Sequence, residues 1–461
     1  MRRHDLVVIG AGSGNMVVDD RFADLDVAII DDRKFGGTCV NYGCIPSKML
    51  SYTAQVADTA STADDFDIDA DYRGMRWTQV RDRVFGRTDK IAADGEQGRR
   101  DSDFVTVYKG HARFTGSRQL TVTLDGDTGD TVDITADRIV IAAGGRPIVP
   151  DVVAESGVPY ETSDTVMRLQ SAPTHLAVLG GGYIAAELAH VFASAGSRIT
   201  IIEKSGQLLG GPQDEAVRTI YTDLMRSQYD LRCGSELSEI SGAAGDLVLT
   251  LDDGSTVRAD TLLVAAGRRS NSDRLHVEKG GIDTHDDGRI VVDEHCRTTA
   301  DGVFALGDVS TPIPLKHVAN REAQVVKHNL LHPDDLRAVS HDLVPSAVFT
   351  QPQIASIGRT EKNCRDDDLD YRVGRTEYSE VAYGWAMQDT TGLCKVLAAD
   401  DGKILGAHII GGQAASLIQI FVVAMNFGIS VDELADEPYW IHPALTEVVE
   451  NALLDLRKSD S

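Results

Sequence analysis

Two stretches far apart in the chain share one grammar, and that near-repeat constrains the fold more than any other feature. The first is Leu6-Val7-Val8-Ile9-Gly10-Ala11-Gly12-Ser13-Gly14-Asn15, an apolar strand running into a glycine turn; a helical stretch and a second strand, Val27 to Asp31, follow. The second is Leu176-Ala177-Val178-Leu179-Gly180-Gly181-Gly182-Tyr183-Ile184-Ala185, then a helix, then Arg198 to Glu203. Each is a strand, glycine turn, helix and strand closing on an acid about 20 residues later, the arrangement that binds a dinucleotide. Gly10, Gly12 and Gly14, like Gly180 and Gly182, let backbone amides approach a pyrophosphate, and a helix N-terminus adds positive partial charge. The carboxylates of Asp31 and Glu203 can accept from ribose hydroxyls. One such turn is weak on its own, and the first departs from the usual spacing because Asn15 stands at the third glycine position.

The pattern predicts an α/β chain with two Rossmann-like dinucleotide-binding domains and a further α+β domain at the C-terminus. Ile139 to Pro147 and Leu262 to Arg268 are strand-to-turn segments that carry the chain out of one domain and back, and Gly302 to Asp308 is another strand, ending in Gly-Asp. The expected boundaries are therefore 1–150 plus 271–340 for a discontinuous first domain, 151–270 for an inserted nucleotide domain, and 341–461 for the third. That last part holds the strand-like Ser346 to Phe349 and an apolar helix over Leu417 to Phe427. The acidic stretch Asp64 to Asp71 reads as a solvated loop.

A formal net charge of −26 repels both nucleic acid and an anionic membrane, so neither is an expected partner. Asp outnumbers Glu and Arg outnumbers Lys, a skew that fits a halophilic cytoplasm, where molar salt screens charge within about 3 Å, and that GC-rich coding also produces. No run approaches the 18 apolar residues of a membrane span. The apolar stretch after Met1 is too short for a signal peptide, so a cytoplasmic location is expected. Six unevenly spaced cysteines in such a chain are no secreted disulfide framework.

The sharpest local signal is Gly36-Gly37-Thr38-Cys39-Val40-Asn41-Tyr42-Gly43-Cys44-Ile45-Pro46-Ser47-Lys48. Two cysteines five positions apart at a helix opening pair only if the turn is distorted, and Gly43 and Pro46 allow that. Reduced, they would be stabilised as thiolates by the helix N-terminus. The competing reading is two buried thiols or half a zinc site, but no second ligand pair stands at zinc spacing and no metal is expected. Near the C-terminus, Trp440-Ile441-His442-Pro443-Ala444-Leu445-Thr446-Glu447 sets a histidine five residues before a carboxylate, a pair able to shuttle a proton. Cys233, Cys296, Cys364 and Cys394 stand in no motif.

These residues resemble the flavin-dependent pyridine nucleotide–disulfide oxidoreductases along essentially the whole chain. The resemblance implies an enzyme with FAD on Gly10, Gly12, Gly14, Asp31, Asp32, Gly37, Thr38, Lys48, Ala112, Ala143, Gly144, Asp308 and Ala319. It implies NADPH, or else NADH, on Gly180, Gly182, Tyr183, Ile184, Glu187, Glu203, Lys204 and Gly267, with Tyr183 as the gating ring. By the same likeness Cys44 is the flavin's charge-transfer partner, Cys39 attacks the substrate disulfide, and Lys48 with Glu187 forms the ion pair beside the flavin. His442, oriented by Glu447, comes from the other subunit of a homodimer in that family, so 341–461 is read as the interface domain.

No cysteine follows His442, unlike mercuric reductase and the large thioredoxin reductases, which carry an extra C-terminal pair. The runs Gly12 to Asn15, Val84 to Arg87, Ser163 to Arg168, Leu315 to Asn320, Val381 to Met387 and His442 to Leu453 resemble mycothione reductases, which makes Asn15 a subfamily feature. If the acidic composition marks a haloarchaeal host, the corresponding substrate is bis-γ-glutamylcystine, and that substrate is expected ahead of mycothione. Glu203 favours NADH, whereas Lys204, high salt and the thiol-disulfide relatives favour NADPH. The rival readings are an NAD-linked dihydrolipoamide dehydrogenase and, more remotely, a non-catalytic flavoprotein subunit.

Overall fold

The computed structural model describes residues 1–126, 129–211 and 213–458. The first half of the repeat builds a sheet on β1 (Arg2–Ile9) and β2 (Val27–Asp31). Two helices, α1 (Gly37–Asn41) and α2 (Cys44–Ser61), follow, and then the long α3 (Trp77–Arg100). β3 (Val105–Gly116), β4 (Gln119–Leu124) and β5 (Thr131–Ile141) continue the sheet. β1 is central, parallel to β2 on one side and to β5 on the other, with β3 outside β2 and the strand Val303–Ala305 outside β5. Only the first part of β3 pairs with β2; from Gly110 onward it pairs antiparallel with β4, which returns to β5.

The second half repeats this order. His175–Leu179 is central, parallel to Arg198–Glu203 and to Thr261–Val264, with Asp230–Cys233 and Glu161–Thr162 at the edges. An antiparallel meander, Leu237–Ala243, Asp246–Leu251 and Thr256–Ala259, forms a separate three-stranded sheet that lies in the chain between Asp230–Cys233 and Thr261–Val264. In both sheets the central strand is buried on both faces, hence its unbroken apolar run: Leu6, Val7, Val8 and Ile9 in one, Leu176, Ala177, Val178 and Leu179 in the other.

The chain leaves through Gly145–Pro147 and returns through Arg268–Ser270, and these two short strands pair antiparallel. The C-terminal part is a five-stranded antiparallel sheet in the order 346–348, 354–358, 404–410, 393–398, 372–377. Its core includes the helix Ala414–Phe427, three residues longer than the Leu417 start suggests, and the helix Glu447–Lys458.

The strand-to-turn segment Leu262 to Arg268 is strand as far as Val264 and then a turn, with Arg268 opening a separate strand. One expectation is corrected. The helix expected between β1 and β2 does not form: two single 3₁₀ turns, Gly14–Met16 and Asp20–Phe22, take its place. Asn15, Val17, Val18 and Asp19 are all poor helix formers, and Gly14 precedes them.

Candidate active site

The cysteine segment is broken where a disulfide needs it to be. α1 carries Cys39 and ends at Asn41; Tyr42 and Gly43 interrupt, and Cys44 is the first residue of α2. A Cβ at Gly43 would lie 3.2 Å from the Thr38 carbonyl oxygen, so the tight return suits glycine. The buried Asn41 amide donates to the carbonyls of Lys34, Phe35 and Gly37 and fixes the approach. Both cysteines are free thiols here. A hydrogen bond from Cys39 lowers Cys44 to about 7 against the opposing effect of burial, helped by its own backbone amide and by the charges of Lys48 and Lys316. Cys39 moves the other way, through the Cys44 bond, burial and the neighbouring negative charge. The mutual bond thus favours the charge on Cys44 and the proton on Cys39.

Both thiols open into a cavity of about 1050 Å³ that reaches back to the first glycine turn. Gly10, Gly12, Asp31, Asp32, Gly37 and Thr38 line it, as do Ala112, Ala143, Gly144, Asp308 and Ala319. Lys48, Tyr183, Ile184 and Glu187 complete the set that it brings together. Lys48 Nζ lies 2.5 and 2.6 Å from the two oxygens of the nearly buried Glu187, whose Oε1 also accepts from Phe349 N at 3.0 Å. Although 42% of Tyr183 is accessible, that surface faces the cavity, and burial raises its hydroxyl to about 12. Asp308 pairs with Arg268 at 3.7 Å.

The two acids at the strand ends make the same contacts. Asp31 accepts from Ala11 N at 2.6 Å and from Arg33 N at 2.7 Å; Glu203 accepts from Gly181 N at 2.6 Å and from Ser205 N at 2.8 Å. Burial lifts Asp31 to about 6 despite the two amides. Asp32 is held below the usual carboxylate range by the bond from His111, against burial.

Other expected residues stand apart from the cavity lining. Gly14 is buried, with a Cβ there only 2.7 Å from the Ala142 side chain, so its task is strand packing. Gly180, Gly182, Glu203 and Lys204 belong to the second turn and the strand end beside it; Gly182 caps the helix Tyr183–Ser194, Lys204 is exposed, and the Gly267 carbonyl accepts from Ile148 N. His442 is 73% exposed, its Nδ1 2.6 Å from Glu447 Oε1, and neither residue lines the cavity. Arg268 and Lys316 are among the lining residues that were not foreseen. Arg268 follows the strand-to-turn signal at Gly267, and Lys316 lies inside a run singled out only for its likeness to relatives.

The donor set fits a flavin dinucleotide. The cavity is at the upper end of the size usual for small-molecule sites. Gly12 and Gly37 touch where a Cβ on Gly37 would fall 2.7 Å from the Gly12 Cα, and a Cβ on Gly144 would meet nothing within 4 Å.

Residues 4–323 match the family described as pyridine nucleotide-disulphide oxidoreductase, and residues 344–453 match the dimerisation domain of that family. The chain belongs to the pyridine nucleotide-disulphide oxidoreductases. It is 47% identical to mycothione reductase of Mycobacterium tuberculosis, over 99% of this chain and 100% of that one. It is 31% identical to glutathione reductase of Burkholderia cepacia, over 96% and 97%. Among solved structures, the Cu(II) complex of the HOCl-induced flavoprotein disulfide reductase RclA from Escherichia coli superposes with a TM-score of 0.86 at 26% identity, covering all of both chains. The oxidoreductase is accordingly an NAD(P)H-dependent flavoprotein disulfide reductase, and its family uses FAD. Among the described residues, no helix is long and apolar enough to cross a membrane.

Proposed function

We propose that this enzyme regenerates a low-molecular-weight thiol from its disulfide through a Cys39–Cys44 redox pair. The observation that carries the reading is the pair of thiols, Cys39 and Cys44, set across the break at Tyr42–Gly43 in the wall of a dinucleotide-sized cavity. FAD would lie on the first turn with Asp31, Asp32, Gly37, Thr38, Lys48, Ala112, Ala143, Gly144, Asp308 and Ala319 around it. The nicotinamide nucleotide would lie on the second, with Tyr183 over its entry. Residues 1–150 and 271–340 then form the FAD domain, 151–270 the NAD(P)H domain and 341–461 the dimer interface.

The bound flavin supplies a two-electron relay from the nicotinamide to the cysteine pair. Two electrons and one proton, together the hydride that the nicotinamide gives up, enter the Cys39–Cys44 bond and break it, leaving a thiol on Cys39 and a thiolate on Cys44. When the Cys39 proton passes to His442, contributed across the dimer and oriented by Glu447, the Cys39 thiolate attacks one substrate sulfur. The first substrate thiol leaves with the proton from His442. Cys44 then attacks Cys39, the mixed disulfide breaks, the second substrate thiolate leaves and takes a proton from solvent, by way of His442, and the Cys39–Cys44 bond re-forms. Lys48 keeps positive charge beside the reacting centre while Glu187 holds it in place.

For the substrate, bis-γ-glutamylcystine is proposed first, on the reading that the Asp-rich, Lys-poor composition reflects a halophilic host and not GC-rich coding alone. Mycothione is the second reading, favoured by the 47% identical relative of that name. NADPH is proposed as the reductant. Glu203, which suits the ribose of NADH, supports instead a dihydrolipoamide dehydrogenase. NAD(P)H oxidation in high salt against bis-γ-glutamylcystine, mycothione, glutathione disulfide and lipoamide tests these readings. Selective turnover of the first with NADPH is expected; turnover of lipoamide alone, with the NAD couple, would overturn the proposal.

A further inference from the structure

The first glycine turn lacks what makes such turns attract a pyrophosphate. At the second turn a twelve-residue helix, Tyr183–Ser194, starts directly from Gly182, so its unpaired amides and dipole add positive charge there. At the first, only the three-residue turns Gly14–Met16 and Asp20–Phe22 follow, too short to sum peptide dipoles. The carbonyls that a helix would have bonded internally are met by a side chain: Arg99 donates to the Asn15 and Val18 carbonyl oxygens, each at 2.8 Å, and to Asn15 Oδ1 at 2.7 Å. Arg99 serves the far side of the turn and does not line the cavity.

Lys316 does line it. From the first position of the helix Lys316–Leu331 its Nζ donates to Ser13 Oγ at 2.8 Å and lies 3.7 Å from Met16 Sδ, both uncharged partners in the turn itself. Lys48 has its charge met by Glu187 at 2.5 Å, whereas among the described residues Lys316 makes no ion pair. Burial pushes its ammonium below the usual lysine value, while Cys39, Cys44 and Asp308 favour the charge. Apart from the redox pair and Asp308, whose negative charge favours its ammonium, this half-buried cation has no anionic partner among the described residues, and from its seat on the glycine turn it can hold an anion.

We propose that Lys316 does at the first turn what the helix N-terminus does at the second: its ammonium, seated on Ser13, offsets the negative charge of the FAD pyrophosphate. The inference rests on the assignment of the first turn to FAD. It makes the separation of the two halves of FAD recognition measurable, because riboflavin has the ring system but no pyrophosphate.

The test is the affinity of full-length, flavin-stripped protein for FAD and for riboflavin, in the wild type and in Lys316→Gln, Lys316→Arg and Asp31→Ala. Glutamine can keep the bond to Ser13 without the charge. Lys316→Gln should weaken FAD by about ten- to a hundredfold, the worth of one hydrogen bond to a charged group, and leave riboflavin unchanged. Lys316→Arg should restore FAD binding. Unchanged FAD affinity in Lys316→Gln would overturn the proposal, and so would an equal loss of FAD and riboflavin, which marks a residue that supports the ring or the fold. Asp31→Ala separates the two layers of the argument: if it leaves FAD binding intact, the assignment of the turn itself fails, whatever Lys316 does.

Discussion

At Gly10 and at Gly180 a Cβ would strike the same kind of atom, a carbonyl oxygen just beyond the next strand of its own sheet: Ala142 at 2.3 Å in one case and Ala265 at 2.4 Å in the other. Both glycines sit at φ near +106°, where other residues are strained. The acids at the ends of the neighbouring strands also grip their turns alike, through Ala11 and Gly181. Beyond these shared contacts the two units diverge. Tyr183–Ser194 is built from Ala185, Ala186, Leu188, Ala189 and Ala193, all strong helix formers, whereas Asn15, Val17, Val18 and Asp19 each cost up to ~0.7 kcal/mol relative to alanine in a helix. The strand, the glycine and the acid therefore define the turn, and the helix is a separable part whose hydrogen bonds and charge side chains can supply.

The sharpest way to break this comparison is to stop one half of the reaction and leave the other. Cys39→Ser should abolish disulfide turnover while flavin reduction by the nicotinamide nucleotide stays intact in rapid-mixing experiments; full turnover would remove Cys39 from its role. Next in size is His442→Ala, expected to slow the disulfide half-reaction by roughly 10²–10⁴ with the nicotinamide half nearly unchanged. An equal loss in both halves would make His442 structural.

Arg99→Ala addresses the turns themselves. It strips the bonds from the carbonyls of Asn15 and Val18 and should cost about 2 kcal/mol, read from the shift of the urea unfolding midpoint. A wild-type midpoint would show that the turn does not depend on this cap. An effect of comparable size is expected in the pH dependence of Asp31→Asn. Because burial lifts Asp31 to about 6, the folded state keeps its proton where the unfolded chain has lost it, so stability should fall as pH rises from about 4 to 6 and stay flat above. Asp31→Asn should lack that fall; the same curve in the variant would mean that another group causes it.

Much of the site was legible in the sequence because its chemistry is local. The cysteine segment, Lys48 and the turn glycines lie in contiguous motifs, and Lys48 meets Glu187 because two motifs share one cavity. The missing helix was legible too, in Gly14, Asn15, Val17 and Val18, but the repeat pattern outweighed local propensity in the reading. Lys316 was not legible as a site residue. Its partner Ser13 is some three hundred positions away, and no local spacing reports a contact made when a C-terminal helix packs on the first turn. His442 is a different case: its bond to Glu447 is local and was expected, while its exposure and its place outside the cavity concern a surface that a single chain leaves open.

The central claim is that Cys44 is the thiolate that meets the flavin and Cys39 the thiol that meets the substrate. Anaerobic reduction of the FAD-bound enzyme with NADPH, followed by its absorption spectrum across pH, tests it most directly. A long-wavelength thiolate–flavin band should appear in the wild type and in Cys39→Ser and be absent from Cys44→Ser, and in the wild type it should reach half its height near pH 7. Persistence of the band in Cys44→Ser, or its loss in Cys39→Ser alone, would contradict the assignment.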